Sequence, residues 1–534
     1  MALNVKSLEM RRQSAQTTLD SRCSLAERNK LGQFATPNAL AVEIARYVAS
    51  LLGHSRKPVR FGDPAVGSGS FFSAALEAFG AERIETPVGV ELEPAVCEIA
   101  RELWSGAGLN VIQGDFTQIV ASASRPPSPN LILANPPYVR HHHLSREQKD
   151  RLRQLAHELT GADVNGLAGL YVYFLLLATD WLEDDGIAAW LIPSEFMDVN
   201  YGAAIKNLLT GRVTLIRAHR FDPDQTQFED ALVSSVVLVF RKTVPPRDHA
   251  VEFSFGGTIA CPHARELVPL DRLRESRKWT VYPSHEKNDR CISGERDSPT
   301  LADLFRIQRG IATGSNKFFV MERTTALRMG LPARFLRPVL PSPRHLKATV
   351  IESGEDGYPL LEPQLCIIDC DLPEHAVESR YPALWEYFRT ADALGIKDRY
   401  LLTKRSPWYR QEQRQPSPFL CTYMGRGSAD KRPFRFIWNR SAAVATNLYL
   451  MLYPIGGLRL LLSRDAGAAE GIHAALNEIT GYELRGEGRV YGGGLHKIEP
   501  SELLRISAAP ILARYPGLRV PIARQGRLFD LAQF

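Results

Sequence analysis

The 534 residues read as an α/β protein, a parallel sheet that turns mixed at one end, followed by a second domain. Three observations predict this. Strand-like and helix-like segments alternate from residue 59 to 240. The connections after the first strands carry glycines or acids, where an open sheet binds ligands. The alternation ends after Phe240, and the chain beyond about residue 300 is richer in Pro, Arg and aromatics.

Residues 1–30 are polar, without a strong apolar face, and are expected to form a surface arm. Across 37–52, Leu40, Ile44, Val48 and Leu51 recur at helical spacing, which predicts an amphipathic helix. A strand at 59–61 leads into the turn Asp63-Pro64-Ala65-Val66-Gly67-Ser68-Gly69-Ser70-Phe71 and a helix through Leu76. Six more strand-like runs follow, at 88–91, 111–112, 131–133, 187–192, 213–216 and 233–240. Seven strands are therefore expected. No obvious helix separates the last two, so that end of the sheet should be mixed. Thr243-Val244-Pro245-Pro246-Arg247-Asp248 reads as a linker. The expected organisation is an arm at 1–30, a first domain at 31–245, a connecting region at 246–300 and a second domain at 301–534.

Composition narrows the function classes. Hydrophobic residues at 44% and charged residues at 23% are those of a globular protein. The densest apolar run, 170–182, is too short to span a bilayer and stops at Glu183-Asp184-Asp185. The start, Met1-Ala2-Leu3-Asn4-Val5-Lys6, continues polar and carries no signal peptide, so a cytoplasmic location is expected. Seven scattered cysteines, with no CxxC pair, argue against a disulfide framework. The net charge of +6 is mild, yet residues 401–440 hold nine Lys/Arg against two Asp/Glu. Those cations are interleaved with Trp408, Tyr409, Phe419, Tyr423, Phe434, Phe436 and Trp438. The mixture suits contact with nucleic-acid phosphates and a distorted duplex. Exposed basic loops around core aromatics would look the same.

The chemistry is read from strand ends. Gly67 and Gly69 let backbone approach a ligand closely. Glu91 ends the next strand, 22 residues after Gly69, where an acid can bond ribose hydroxyls. Asp115, in Gly114-Asp115-Phe116, closes the following strand. Three such strand ends suit an adenosine ligand, although solvated loop acids remain an alternative. No full G-x-G-x-x-G and no Walker lysine is present.

Asn135-Pro136-Pro137-Tyr138 directly follows the strand 131–134. The exocyclic amine of adenine is a poor nucleophile, because its lone pair is delocalised into the ring. A site that methylates it must accept both N–H protons and aim the lone pair at the methyl group. The Asn135 side-chain oxygen and the Pro136 carbonyl can supply those acceptors, and the prolines preset the geometry. Tyr138 can stack on the base.

Together with Gly32-Gln33-Phe34-Ala35-Thr36-Pro37 and the turn at 63–71, this loop resembles the gamma class of N6-adenine DNA methyltransferases, the Taq-type enzymes of restriction-modification systems. Further matches are Leu170-Tyr171 with Phe174, Ile192-Pro193-Ser194-Glu195-Phe196, and Phe228 followed by Val233-Ser234-Ser235-Val236-Val237. Near the C-terminus, Tyr491-Gly492-Gly493-Gly494-Leu495 and Lys497-Ile498-Glu499-Pro500 recur in a subset. The resemblance covers roughly 30–240, with thinner support near 300–315 and 490–505. It implies a class I S-adenosylmethionine-dependent methyltransferase fold, Rossmann-like with a mixed seven-stranded sheet, and a separate C-terminal DNA target-recognition domain at 301–534. It also implies base flipping. Thr36, Asp63, Ala65, Gly67, Gly69, Glu91, Asp115, Phe116 and Pro137 would contact S-adenosylmethionine, with Leu92 and Phe174 around its adenine. Asn135, Pro136, Tyr138 and Phe228 would meet the target base. The partner implied is double-stranded DNA, with Lys404, Arg405, Arg426, Lys431, Arg432 and Arg435 as the expected contacts. A separately encoded restriction endonuclease is the companion such a system implies.

Other readings are weaker. His141-His142-His143 has no accompanying carboxylate or cysteine cluster, so no metal is expected. None of the seven cysteines follows proline, which disfavours C5-cytosine chemistry. N4-cytosine modification remains conceivable. A protein glutamine N5-methyltransferase shares the Asn-Pro-Pro-Tyr loop, and a specificity protein with an inactive methyltransferase domain is a further alternative. No nuclease motif is found.

Overall fold

A computed structural model of the chain describes residues 4–22, 24, 28, 32–53, 57–123, 125–223, 234–283, 299–426, 432–465, 467–491 and 494–518. Contacts divide the chain into two compact units, Met1–Asp289 with Tyr491–Gly493, and Arg290–Val490 with Gly494–Phe534.

The first unit is built on β1 (Val59–Asp63), β2 (Ile84–Glu91), β3 (Asn110–Gln113), β4 (Leu131–Ala134), β5 (Ile187–Pro193), β6 (Thr214–Arg220), β7 (Ser235–Arg241), β8 (Ala250–Gly257) and β9 (Pro262–Pro269). They form one sheet in the order β3-β2-β1-β4-β5-β7-β6-β8-β9. β3, β2, β1, β4 and β5 pair in parallel, and β7 runs antiparallel to both β5 and β6. The first seven strands make the class I methyltransferase sheet, mixed at the end where no helix separates β6 from β7.

β4 and β5 are buried along their whole lengths, as central strands covered on both faces must be. Alternate residues of β4 feed opposite cores: Ile132 and Ala134 join one, Leu131 and Leu133 the other. The second core also takes Leu40, Ile44 and Val48 of the expected helix, α2, which spans Asn38–Leu52. The helices after β1 and β2, α3 (Ser70–Phe79) and α4 (Pro94–Trp104), lie against the same core.

Two readings are corrected here. Residues 246–300 are not simply a connecting region, since β8 and β9 extend the sheet to nine strands. Val251 and Phe253 are buried on one face of β8, and Phe253 packs edge-on against Trp279 at 5.9 Å. β9 escapes a sequence reading because it is a charged edge strand, where Arg265 and Glu266 interrupt any apolar pattern. The N-terminal segment is not simply a surface arm either. α1 (Val5–Arg22) packs on α3 and α4, and its Glu9 and Arg12 are buried.

The second unit holds a five-stranded sheet of Phe305–Arg309, Tyr449–Pro454, Phe419–Thr422, Phe436–Asn439 and Val350–Ile351, in that spatial order. A smaller sheet pairs Val320–Glu322 and Leu336–Val339 with Leu365–Ile368. Among the described residues, no helix is long and apolar enough to cross a membrane.

Candidate active site

The strand order places the motifs in one row. β3, β2, β1 and β4 are parallel neighbours, so Asp115, Glu91, Asp63 and Asn135 follow one another along the carboxyl edge of the sheet. The order reverses between β1 and β4, and such a switch point is where open α/β sheets bind ligands.

The turn after β1 closes on Glu91. The Gly67 N–H donates to its carboxylate at 3.0 Å and the Glu93 N–H at 2.8 Å. A carboxylate offers about four acceptor sites, so capacity remains for ligand hydroxyls. Asp63 accepts from the Ala65 N–H at 2.9 Å and is 1% exposed. Burial pushes its carboxyl up to about 8; the Ala65 N–H opposes the shift and the charge of Glu91 adds to it. Burial also raises Glu91, against its backbone N–H partners. Two acids held above their usual range, with no cation bonded to either among the described residues, suit a cationic ligand carrying hydroxyls. Gly69 precedes α3 with φ +90°, and a Cβ there would lie 2.2 Å from Trp104 Nε1. The glycine is needed because the Trp104 indole donates to the Ser68 carbonyl at 2.8 Å.

Asp115 is more fully engaged. It caps the short helix α5 (Phe116–Ile119), accepting from Thr117 N at 2.9 Å and Thr117 Oγ1 at 2.7 Å. Arg151 pairs with its other oxygen at 3.3 Å. Phe116 packs at 5.4 Å against Phe174, which lies on α6 (Leu170–Trp181), and both are buried. Leu92 stands 68% exposed.

The loop after β4 is braced by the segment at 32–36. Asn135 Nδ2 donates to the Phe34 carbonyl at 2.9 Å and to Thr36 Oγ1 at 3.1 Å. A carbonyl can only accept, so this contact fixes which way the amide faces. Its Oδ1 is buried and has no hydrogen-bond partner among the described residues. Thr36 is buried, and its carbonyl accepts from Ser70 at 2.8 Å, which ties the segment to the start of α3. The Tyr138 N–H donates to the Gly32 carbonyl at 3.0 Å. Gly32 has φ +64°, and a Cβ there would come within 2.5 Å of the Tyr138 backbone, so only glycine permits this approach. Pro136 is buried and Pro137 half-buried. The Tyr138 hydroxyl donates to the Leu191 carbonyl at 3.1 Å, and its ring lies 5.6 Å from Phe34. Phe228 lies outside the described residues.

The expected DNA contacts fare differently. Arg405 donates to the Ala312 carbonyl at 2.5 Å and the Thr313 carbonyl at 3.3 Å. Arg435 donates to the Pro343 carbonyl at 2.8 Å and the Lys347 carbonyl at 3.2 Å, and Arg432 to the Asn477 carbonyl. Trp408, Tyr409, Phe419, Tyr423, Phe434 and Phe436 are core residues. Most of the aromatics of segment 401–440 are thus core, and Arg405, Arg432 and Arg435 also serve internal carbonyls. Lys404 and Arg426 are exposed, and Lys431 lies outside the described residues.

Sequence reasoning missed Ser68, Trp104, Arg151 and Arg12 as parts of the site's scaffold. Arg12 has no local signal, since it sits in a polar helix far upstream. Among the described residues, no group of three or more His, Cys, Asp or Glu converges as a metal site, and His141–His143 form a 3-10 turn.

Residues 130–228 match the family described as Eco57I restriction-modification methylase, and residues 276–517 match the C-terminal domain of Type II methyltransferase M.Eco57I. The chain is 28% identical over 477 residues to the Type II methyltransferase M.XamI of Xanthomonas campestris pv. amaranthicola, covering 87% of this chain and 83% of that protein. It is 24% identical over 502 residues to M.AccI of Acinetobacter calcoaceticus, covering 90% and 85%. The Type IIL restriction-modification enzyme MmeI, solved in complex with DNA, shares the fold with a TM-score of 0.51 at 13% identity, over 87% of this chain and 64% of that one. The two family matches and the two relatives together support a DNA methyltransferase of a restriction-modification system.

Proposed function

We propose that this chain methylates the exocyclic N6 amine of an adenine flipped out of duplex DNA, as the protective enzyme of a restriction-modification system. One observation carries the reading: the buried Oδ1 of Asn135, without a partner among the described residues, on an amide whose other end is locked by Phe34 and Thr36. Leaving a buried acceptor unsatisfied costs roughly 1–3 kcal/mol, so its retention at a ligand-binding strand edge points to a donor supplied by substrate. Asn135 Oδ1 accepts one amine N–H and the Pro136 carbonyl the other, drawing the nitrogen toward tetrahedral geometry. S-adenosylmethionine, when bound, supplies an electrophilic methyl group on a sulfonium.

Glu91 would hold the ribose hydroxyls, and Asp63 the cationic part of that cofactor. Thr36, Ala65, Gly67, Gly69, Asp115, Phe116, Pro137 and Phe174 would line its site, with Leu92 at the rim. Tyr138 and Phe228 would flank the extruded base, where stacking offsets the few kcal/mol of extrusion (~1–3 kcal/mol per aromatic). Lys404 and Arg426, both exposed, would be among the side chains of the basic segment that meet phosphates. The relatives are Type II methyltransferases and the structural neighbour was solved with DNA, which favours a DNA substrate over protein glutamine. A separate endonuclease and a cytoplasmic setting accompany this reading.

The test is to incubate the chain with methyl-labelled S-adenosylmethionine and duplex DNA, then digest to nucleosides. Label in N6-methyladenine is expected. Label in N4-methylcytosine, or in protein glutamine in a parallel incubation, would overturn the assignment.

A further inference from the structure

α1 carries a buried ion pair that the catalytic chemistry does not use. Glu9 and Arg12 are 8% and 3% exposed. The Arg12 guanidinium donates to Glu9 through Nε at 2.8 Å and Nη2 at 2.7 Å, a bidentate pair on one helical face. That pairing leaves Nη1, which donates to Ser68 Oγ at 3.0 Å. The Ser68 hydroxyl in turn donates to Gln16 Oε1 at 2.8 Å. Ser68, 4% exposed, is thus held from α1 through its hydroxyl and from α4 through Trp104 on its carbonyl. Its neighbour Gly67 is the residue whose N–H bonds Glu91.

Burying two charges is expensive, and an apolar pair of similar volume is often as stable or more so. An ion pair is better suited than methyl groups to fix the direction of one hydroxyl. We infer that the N-terminal helix is a strut for the cofactor site, with Arg12 and Ser68 as positioning residues that set the Gly67 N–H, and through it the Glu91 carboxylate. Arg12 acts through Ser68 and does not itself touch the ligand. This rests on the reading of the turn at 63–71 as the cofactor turn.

The experiment is calorimetric titration of the full chain with S-adenosylmethionine. The variants are Ser68→Ala, the double variant Glu9→Leu/Arg12→Met, the triple combination, and Glu91→Ala as the control on the cofactor reading. The double variant removes both charges, so no buried ion is left alone. Ser68→Ala and the double variant should each weaken binding about tenfold, the scale of one lost hydrogen bond. The triple variant should be no weaker than the stronger-affected of the two, because both cut the same contact. A purely structural role for α1 would give additive losses that track a fall in thermal stability. If Glu91→Ala weakens binding while Ser68→Ala and the double variant bind like the parent, the strut is refuted and the cofactor turn stands. If Glu91→Ala also binds normally, the cofactor reading fails and the strut with it. Should the double variant not fold, Ser68→Ala decides alone.

Discussion

The carboxyl edge of the first sheet and segment 401–440 both announce themselves in the sequence, one by spacing and the other by composition. The structure treats them in opposite ways. At the sheet edge, motif residues from four parallel strands stand side by side, and a key polar atom, Asn135 Oδ1, has no partner among the described residues. In 401–440, Arg405, Arg432 and Arg435 are bonded to internal carbonyls, and six of the aromatics are core. A motif's position after a strand is constrained by the backbone, so its spacing carries over into space. A local excess of charge says nothing of which neighbours will accept those N–H groups.

This contrast can be broken most directly at Asn135. Removing a single preorganised polar group of this kind commonly lowers turnover about 10²–10³-fold. Asn135→Ala should lose at least that much methyl transfer. Asn135→Asp should lose as much, since its oxygen would face the Phe34 carbonyl in place of the amide N–H. Turnover near the parent's in either folded variant would return Asn135 to the role of a strand-end brace.

Glu91→Ala comes next, expected to weaken S-adenosylmethionine by ~1–3 kcal/mol through lost charge-assisted hydrogen bonds. Titration calorimetry measures it, and an unchanged affinity would remove Glu91 from the site.

Asp63 adds a pH dependence whose sign can be worked out. Its carboxyl, at about 8 in the folded chain, is largely protonated below that pH. A cationic ligand favours the carboxylate, so binding should release a proton and affinity should climb as pH rises toward about 8. The limiting slope is roughly tenfold per pH unit. The cofactor's own α-amino group loses charge near ~8, which confines the rise to lower pH. Asp63→Asn should flatten the profile. The same shift means the unliganded fold loses stability as pH climbs from 3.8 to about 8, and Asp63→Asn relieves that loss. Parallel pH profiles for parent and variant would refute both statements.

The smallest effects should divide the basic segment in two. Lys404→Ala/Arg426→Ala should leave stability near the parent's and flatten log affinity for DNA against log salt by about 1.8, at about 0.9 per phosphate contact. Arg405→Ala should do the reverse, costing ~1–3 kcal/mol of stability as buried carbonyls lose their donor, with the salt slope unchanged. A flattened slope in Arg405→Ala alone would mean its carbonyl contacts give way to phosphate, and would erase the contrast between the two regions.

Much was legible from residues alone. Seven strands, the mixed end of the sheet, the helix at 37–52 and the row of strand-end motifs follow from apolar periodicity and from glycine, proline and acid placement. Those properties act over a few residues, and the chain's local stiffness transmits them into space. β8 and β9 fall where the sequence reads as a connecting region, and β9, an edge strand bearing Arg265 and Glu266, had no apolar face to read. What only the tertiary structure decided was the pairing of polar groups across long separations. Arg12 meets Ser68 across 56 residues, Asn135 meets Phe34 across 101, and Arg405 meets Ala312 across 93. Each of those bonds depends on where a distant carbonyl or hydroxyl arrives once the sheet has formed. The sequence therefore determined which strand ends could carry chemistry, and folding determined which polar atoms were left free to do it.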